Sequence, residues 1–408
     1  MAGRTPEGIP ALLQLDAVQT LAVAGLALFL GYGLCRAIPL LGRYNLPPPV
    51  IGGLVFALVA WFAHSRETTL WTMDTALQTP LMIAFFTTIG FNASLKLLKI
   101  SGGQVIVFLA LASVFAVVQN LVGMAVAVGF DLPPLFGVLA GSTTLTGGPA
   151  TGLAFAPLFE EAGIRGAESI AVASAMAGIV LGGLVGGPII TVLVRRFRLV
   201  ASDPRDHDAP TEGASGHLQT EAQREYSALK SIVVILVAMW IGAGVSGWIS
   251  ATGVTLPAYV GAMLVGAVIR NLDDATGWIK LSVPTIELVG NVCLALFLSV
   301  ALMNLRLWEL AGLAMPLLVN LGLQVAIVAA FCLVVFRVMG RDYDAAVMGG
   351  GFIGFMLGTT ANAMAVMRTL VERYGAAPRA FLVAPLVGAF FIDFTNALII
   401  TFFINAFA

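Results

Sequence analysis

Charge is what this sequence has least of. Only 11% of its 408 residues are Asp, Glu, Lys or Arg, while 59% are hydrophobic and the mean hydropathy is +0.96. Soluble domains carry about 25% charged residues, so the composition excludes an ordinary soluble protein. A net charge of −1 leaves no basic surface for nucleic acid. Histidine is scarce as well. His64, His207 and His217 all lie outside the apolar runs, which removes a histidine proton relay and the span-borne zinc ligands of an intramembrane metalloprotease. Cys35, Cys293 and Cys332 sit in apolar segments without metal-ligand spacing, so they read as buried thiols and not as a disulfide framework. Alternating ten-residue segments are missing, which excludes a membrane β-barrel. No Lys or Arg falls in the middle of an apolar run.

What remains is a series of apolar stretches long enough to cross hydrocarbon. Ten candidate spans lie at roughly 18–35, 49–63, 80–95, 103–129, 169–194, 229–249, 256–270, 284–303, 311–336 and 379–405. The first is long and has no basic region directly before it, so it reads as a retained span and not a cleaved signal. Two further apolar stretches, 133–159 and 345–371, are broken by glycine, proline and hydroxyl residues. The one long polar segment, 195–228, reads as a linker. If each broken stretch enters and leaves on the same side, the basic residues divide 17 to 4 between the two faces. That asymmetry puts the linker in the cytoplasm and both termini outside, and it favours two re-entrant hairpins.

An internal repeat points the same way. LPPPVIGGLV at 46–55 resembles LPAYVGAMLV at 256–265, an offset of 210. Phe85, Asn92 and Leu95 match Phe297, Asn304 and Leu307 at 212, and Asp131, Gly147, Ala150 and Glu161 match Asp342, Gly358, Ala361 and Glu372 at 211. The expected architecture is an all-α polytopic membrane protein of two five-span repeats, 1–194 and 229–408, joined by the linker at 195–228. An odd number of spans per repeat makes the two run in opposite directions, the plan of secondary transporters.

The first broken stretch contains AGSTTLTGGPATGLAF at 140–155, with five hydroxyl side chains, four glycines and a proline. Its counterpart is GGGFIGFMLGTTANAMAVM at 349–367. Glycine and proline interrupt helical hydrogen bonding and free backbone groups, which lipid does not tolerate unless protein or a wet cavity surrounds them. Freed N–H groups at a half-helix start attract anions. Freed carbonyls and hydroxyls suit Na⁺. The other reading is a pair of kinked spans whose small residues serve helix packing. Asp393, in GAFFIDFTNALII, is either a cation ligand assisted by Thr395 or Asn396, or a cap on broken backbone. Gln119, Asn120, Asn291, Asn304 and Gln324 read first as interhelical hydrogen-bonding amides, with the repeat mates Asn92 and Asn304 also open as ion ligands.

At these motifs the chain resembles the bacterial sodium/glutamate symporter family over nearly its whole length. PLMIAFFTTIGFNASL, LAGSTTLTGGPATG, LGGLVGGPI, GNVCLALFLSVALMNLRLWELA, GRDYDAAVMGGGFIGFMLGTTANAMAVM and VAPLVGAFFIDFTNALI are similar to family segments and stand in the same order. The resemblance implies a Na⁺-coupled importer of glutamate in the bacterial inner membrane. It also implies paired hairpins, a homodimer and an elevator-like movement of one domain against another. Its implied partners are glutamate or a related carboxylate, Na⁺ and membrane lipid, with no cofactor beyond the coupling ion and no enzymatic activity. Carried over residue by residue, the substrate site is Ser142, Thr143, Thr144, Thr146, Gly147, Gly148 and Thr151 with Gly358, Thr359, Thr360 and Asn362. The Na⁺ ligands are Asp393 and Asn396, to which the repeat adds Asn304 and Asn92. The chain departs from the family pattern at Pro149-Ala150, where His-Gly is expected, and at Ala361, where proline is expected. The alternatives left open are a Na⁺- or H⁺-coupled transporter of another carboxylate, and a channel or uniporter.

Overall fold

The computed structural model describes residues 11–44, 46–100, 102–201, 221–251, 253 and 256–408. It is mostly helical. After strand β1 (Ala11–Leu15) come α1 (Ala17–Ala37), α2 (Pro39–Arg43) and α3 (Pro48–His64), then β2 (Thr69–Met73), α4 (Gln78–Phe91), α5 (Leu95–Ile100) and α6 (Gly103–Gly129). The first broken stretch becomes α7 (Pro134–Val138), a wide π turn (Leu139–Thr143) and α8 (Gly148–Glu161), and α9 (Ala167–Phe197) follows. The second half contains α10 (Glu221–Ser250), α11 (Ala258–Thr276), α12 (Val283–Met303), a short 3₁₀ turn (Leu307–Leu310) and α13 (Ala314–Val338). The second broken stretch becomes α14 (Tyr343–Met356) and α15 (Thr360–Tyr374). The chain ends with α16 (Pro378–Leu386), another π turn (Val387–Phe391) and α17 (Ile392–Phe407).

Among the described residues six helices are long and apolar enough to cross a membrane: α1, α6, α9, residues 225–250 of α10, α12 and α13. At 1.5 Å per residue, the 21 residues of α1 extend about 31 Å, the thickness of a bilayer core. The protein is a polytopic membrane protein. The expected spans 49–63 and 80–95 appear as the shorter apolar helices α3 and α4. The last expected span, 379–405, is covered by α16, the π turn 387–391 and α17, a continuous helical run whose ladder lacks the N–H of Pro385 and widens by a π turn two residues later. The expected linker is shorter at both ends, because α9 runs to Phe197 and α10 begins at Glu221. Its residues 202–220 lie outside the described part.

The all-α expectation needs one correction. β1 and β2 pair in parallel, with Ala11 opposite Thr69 and Leu15 opposite Met73. Each strand is only five residues long, and neither carries the extended alternation that signals a strand in a sequence.

Packing divides the helices into two groups. A large core joins α6, α9, α13, α14, α15 and α16. Phe352 lies at its centre, stacked on Phe331 at 5.5 Å and edge-on to Phe115 and Phe108 at 5.3 and 6.0 Å. The other group is built on α1 with α3 and α10 with α11. Helices α4 and α12 cross between the halves, α3 against α12 and α11 against α4. Two glycines set how close these crossings come: Gly53 lies against Leu302, and Gly90 lies against the backbone of Met263. A side chain at either position would separate the helices.

Candidate functional site

The first broken stretch unwinds at Gly141, whose φ of −103° and ψ of −127° leave the helical region. Backbone groups freed by such a break need partners, and amide side chains from three helices supply them. Asn120 Oδ1, on α6, accepts from the Ser142 N–H at 2.9 Å. Asn320 Nδ2, on α13, donates to the Ala140 carbonyl at 2.7 Å. Asn396 Nδ2, on α17, donates to the Ser142 carbonyl at 2.9 Å. A second layer holds these in turn. Gln324 donates to the Gln119 carbonyl at 2.9 Å, Gln119 donates to the Met356 carbonyl at 2.8 Å, and Thr146 Oγ1 donates to Gln119 Oε1 at 2.6 Å. The amides at 119, 120 and 324, read from the sequence as interhelical bonds, do link helices: Gln324 joins α13 to α6, while Gln119 and Asn120 join α6 to the backbone of the second and first broken stretches. Asn320 went unnoticed in the sequence, although it stands four residues before Gln324 on the same face of α13.

The second stretch opens after Met356. Thr359 caps α15, its Oγ1 accepting from the Asn362 N–H at 3.4 Å. Asn362 Nδ2 donates to the Ile179 carbonyl of α9 at 3.1 Å, and Thr360 Oγ1 donates to the Gly388 carbonyl in the second π turn at 3.1 Å. The last span thus touches both stretches, its π turn at the second through Gly388 and Asn396 at the first through Ser142.

The two tips meet. Gly148 has φ +69°, and a β-carbon placed there would sit 3.1 Å from Thr359 Cγ2 and 3.7 Å from the Gly358 carbonyl oxygen. Only glycine takes this conformation at so little cost and leaves that space open. Ser142, Thr143, Thr144, Thr146, Gly147, Gly148 and Thr151 are thus on one side of the contact, and Gly358, Thr359, Thr360 and Asn362 on the other. Several buried polar atoms around it have no hydrogen-bond partner: Ser142 Oγ, Thr143 Oγ1, Asn396 Oδ1 and Asn362 Oδ1. Buried polar groups are rarely left so, and unpartnered oxygens of this kind are the type of donor that a hard cation or an ammonium group takes; Asn362 Oδ1 faces Gly183 of α9. Asp393 is half-buried in the first turn of α17, three residues before Asn396 and within electrostatic reach of Tyr259. Thr395 Oγ1 instead contacts Ser113 at 3.3 Å.

Asn304 and Asn92 do not join this group. Asn304 lines a separate cavity of about 480 Å³ beside Gln78, His64 and Trp308, and donates to the Val300 carbonyl on its own helix. Asn92 caps the far end of α4. Gln78 begins that 14-residue helix, so the two asparagines are about 20 Å apart along its axis. The cavity at Asn304 also holds Glu160, Glu168, Glu309 and Arg306. Burial, and then the Glu309 charge, raise the Glu160 carboxyl above its ordinary range, against Arg306.

The family described as Sodium/glutamate symporter matches residues 13–376. A protein named sodium/glutamate symporter from Haemophilus influenzae is 39% identical over 93% of this chain and 95% of its own length. One of the same name from Escherichia coli K12 is 39% identical over 96% of this chain and 98% of its own length. The chain belongs to the sodium/glutamate symporter family.

Proposed function

We propose that this protein is a Na⁺-coupled symporter importing glutamate across the bacterial inner membrane by alternating access. One observation carries the reading: in a chain of this family, Gly148 of one broken stretch abuts Gly358 and Thr359 of the other. The substrate carboxylates lie on the N–H groups at the starts of α8 and α15 and on hydroxyls of Thr143, Thr151 and Thr359, because no Lys or Arg occurs at either tip. Na⁺ is held by Ser142, Thr143, Asn396 and Asp393. Asn92 and Asn304 have no part in that ion site. Na⁺ binds first, neutralises Asp393 and completes the anion site.

The inverted repeat is supported by exchanged contacts. The sequence offset of about 211 maps Gly53 to Met263 and Gly90 to Leu302, and Gly53 touches Leu302 while Gly90 touches Met263. Such reciprocal pairs are what a two-fold relation between the halves produces. In the elevator reading, α6–α9 and α13–α17 carry the site past α1, α3, α10 and α11, which provide the homodimer contact. The basic-residue asymmetry supports a cytoplasmic linker with both termini outside.

Purified protein in liposomes tests the proposal. An imposed inward Na⁺ gradient should drive radiolabelled glutamate uptake, and a K⁺ or H⁺ gradient alone should not. Uptake at equal rate without Na⁺ would refute coupling. Pro149, Ala150 and Ala361 depart from the family pattern beside the tips, so competition by aspartate and by dicarboxylates lacking the amine belongs in the same assay; stronger competition by one of these would reassign the substrate.

A further inference from the structure

A cavity of about 840 Å³ lies between the ends of α9 and α13, remote from both hairpin tips. Its volume is that of ligand pockets, which run from about 300 to 1,000 Å³. The walls are apolar, with Leu193 and Phe197 from α9 and Leu333 and Phe336 from α13. The Phe197 and Phe336 rings lie 5.4 Å apart. Three arginines, Arg196, Arg337 and Arg341, line the same cavity, and no acidic residue does. All three are exposed, and none forms an ion pair among the described residues. Both helices are of membrane length, and Arg196 and Arg337 occupy their last turns. The arginines therefore stand where hydrocarbon gives way to headgroups, and the apolar walls run inward from them.

We propose that this groove binds one anionic phospholipid, an acyl chain between α9 and α13 and the headgroup phosphate on Arg196, Arg337 and Arg341. The charge selects the occupant. A detergent tail or zwitterionic lipid fills the apolar part but leaves three guanidinium groups uncompensated, whereas a phosphate ester with net negative charge accepts charge-assisted hydrogen bonds from them. Basic pockets between membrane helices bind anionic headgroups for this reason. Because α9 also receives Asn362 of the second tip, the lipid would brace a helix that the substrate site uses.

Native mass spectrometry of the detergent-purified full chain tests this without reference to transport. Phosphatidylglycerol, cardiolipin and phosphatidylcholine are titrated separately at equal concentration. The anionic lipids should be retained about tenfold more strongly than phosphatidylcholine. The triple variant R196Q/R337Q/R341Q should abolish the preference. Ala329→Trp, which fills the groove and keeps the arginines, should weaken all lipid retention there. Arg66→Gln, far from the groove, should change nothing. If the triple variant does not fold, the triple lysine variant serves, with retention reduced but selectivity kept. Equal retention of phosphatidylcholine by the native protein, unchanged retention in both the triple and Ala329→Trp variants, or displacement of lipid by millimolar inorganic phosphate would overturn the proposal.

Discussion

At the scale of single residues the site works through amides. Asn120, Asn320 and Asn396 each satisfy a backbone group freed at Ala140 or Ser142, and this lets an open turn persist where water is scarce. Losing one such partner leaves a buried carbonyl or N–H unpaired, a cost of about 1–3 kcal/mol. Asn320→Leu should therefore lower the thermal unfolding temperature in detergent, and a melting curve like that of the native protein would show Ala140 finding another partner. The Oδ1 of Asn396 has no hydrogen-bond partner and is available to the ion in the proposed site. With Asp393 it is assigned to the ion, so Asp393→Asn should raise the Na⁺ concentration for half-maximal uptake about tenfold or more while leaving protein abundance nearly unchanged. Unchanged Na⁺ dependence would make Asp393 structural. The hydroxyl- and glycine-rich tips were legible in the sequence because such residues are out of place in an apolar run. Asn320 was not, since a lone amide in a span has many ordinary uses. Asn92 and Asn304 were grouped because they are repeat mates, but Asn304 lines the cavity at the Gln78 end of α4 and Asn92 caps the other end of that helix.

At the scale of elements the hairpins depend on how their bases are fixed. Asp342 caps α14 through the Ala345 N–H at 2.8 Å, and Arg379 Nη2 reaches both its oxygens at 2.6 and 2.8 Å. Asp344 accepts from the Ala380 N–H at 3.1 Å and the Tyr343 hydroxyl donates to the Gly375 carbonyl at 2.7 Å, so the hairpin is tied to the start of α16. Asp342→Ala removes a cap and an ion pair and should destabilise by about 1–2 kcal/mol, read as a lower unfolding temperature with Na⁺ affinity retained. The loop from α11 to α12 is held by Asp273, whose carboxylate accepts from the N–H groups of Ile279, Lys280 and Leu281, each at 2.8 Å. Partial burial works to raise its pKa, but these donors and Arg270 outweigh it and hold the group below the ordinary carboxylate value. A lowered folded-state pKa stabilises the loop at and above that ordinary value of about 3.9. The contribution disappears as pH falls through the lowered pKa. Asp273→Asn should speed amide exchange at 279–281 at neutral pH; exchange equal to the native protein's would contradict this reading. Helix positions followed from apolar length alone, whereas the π turn at 387–391 and the strands β1 and β2 did not. A widened turn inside one apolar run and a five-residue strand leave little mark on hydropathy.

At the scale of the whole molecule, the tips close on each other within one chain, which suits a carrier better than a pore. Glutamate carries net charge −1, and each charge crossing the membrane is worth about 2.3 kcal/mol per 100 mV. Concentration against an inside-negative potential then calls for more than one Na⁺ per substrate. Solid-supported membrane currents should show positive charge entering with glutamate, and electroneutral transport would contradict it. The central claim is that the space between Gly148 and Thr359 is where glutamate and Na⁺ bind together. Its most direct test is the rate at which a water-soluble maleimide labels Thr359→Cys in a background where Cys35, Cys293 and Cys332 are replaced by serine or alanine. The account predicts that Na⁺ with glutamate slows labelling about tenfold or more and that neither alone does so fully, as expected for ligands that complete one site. A transport-competent variant whose labelling rate is the same with and without saturating Na⁺ and glutamate would contradict it.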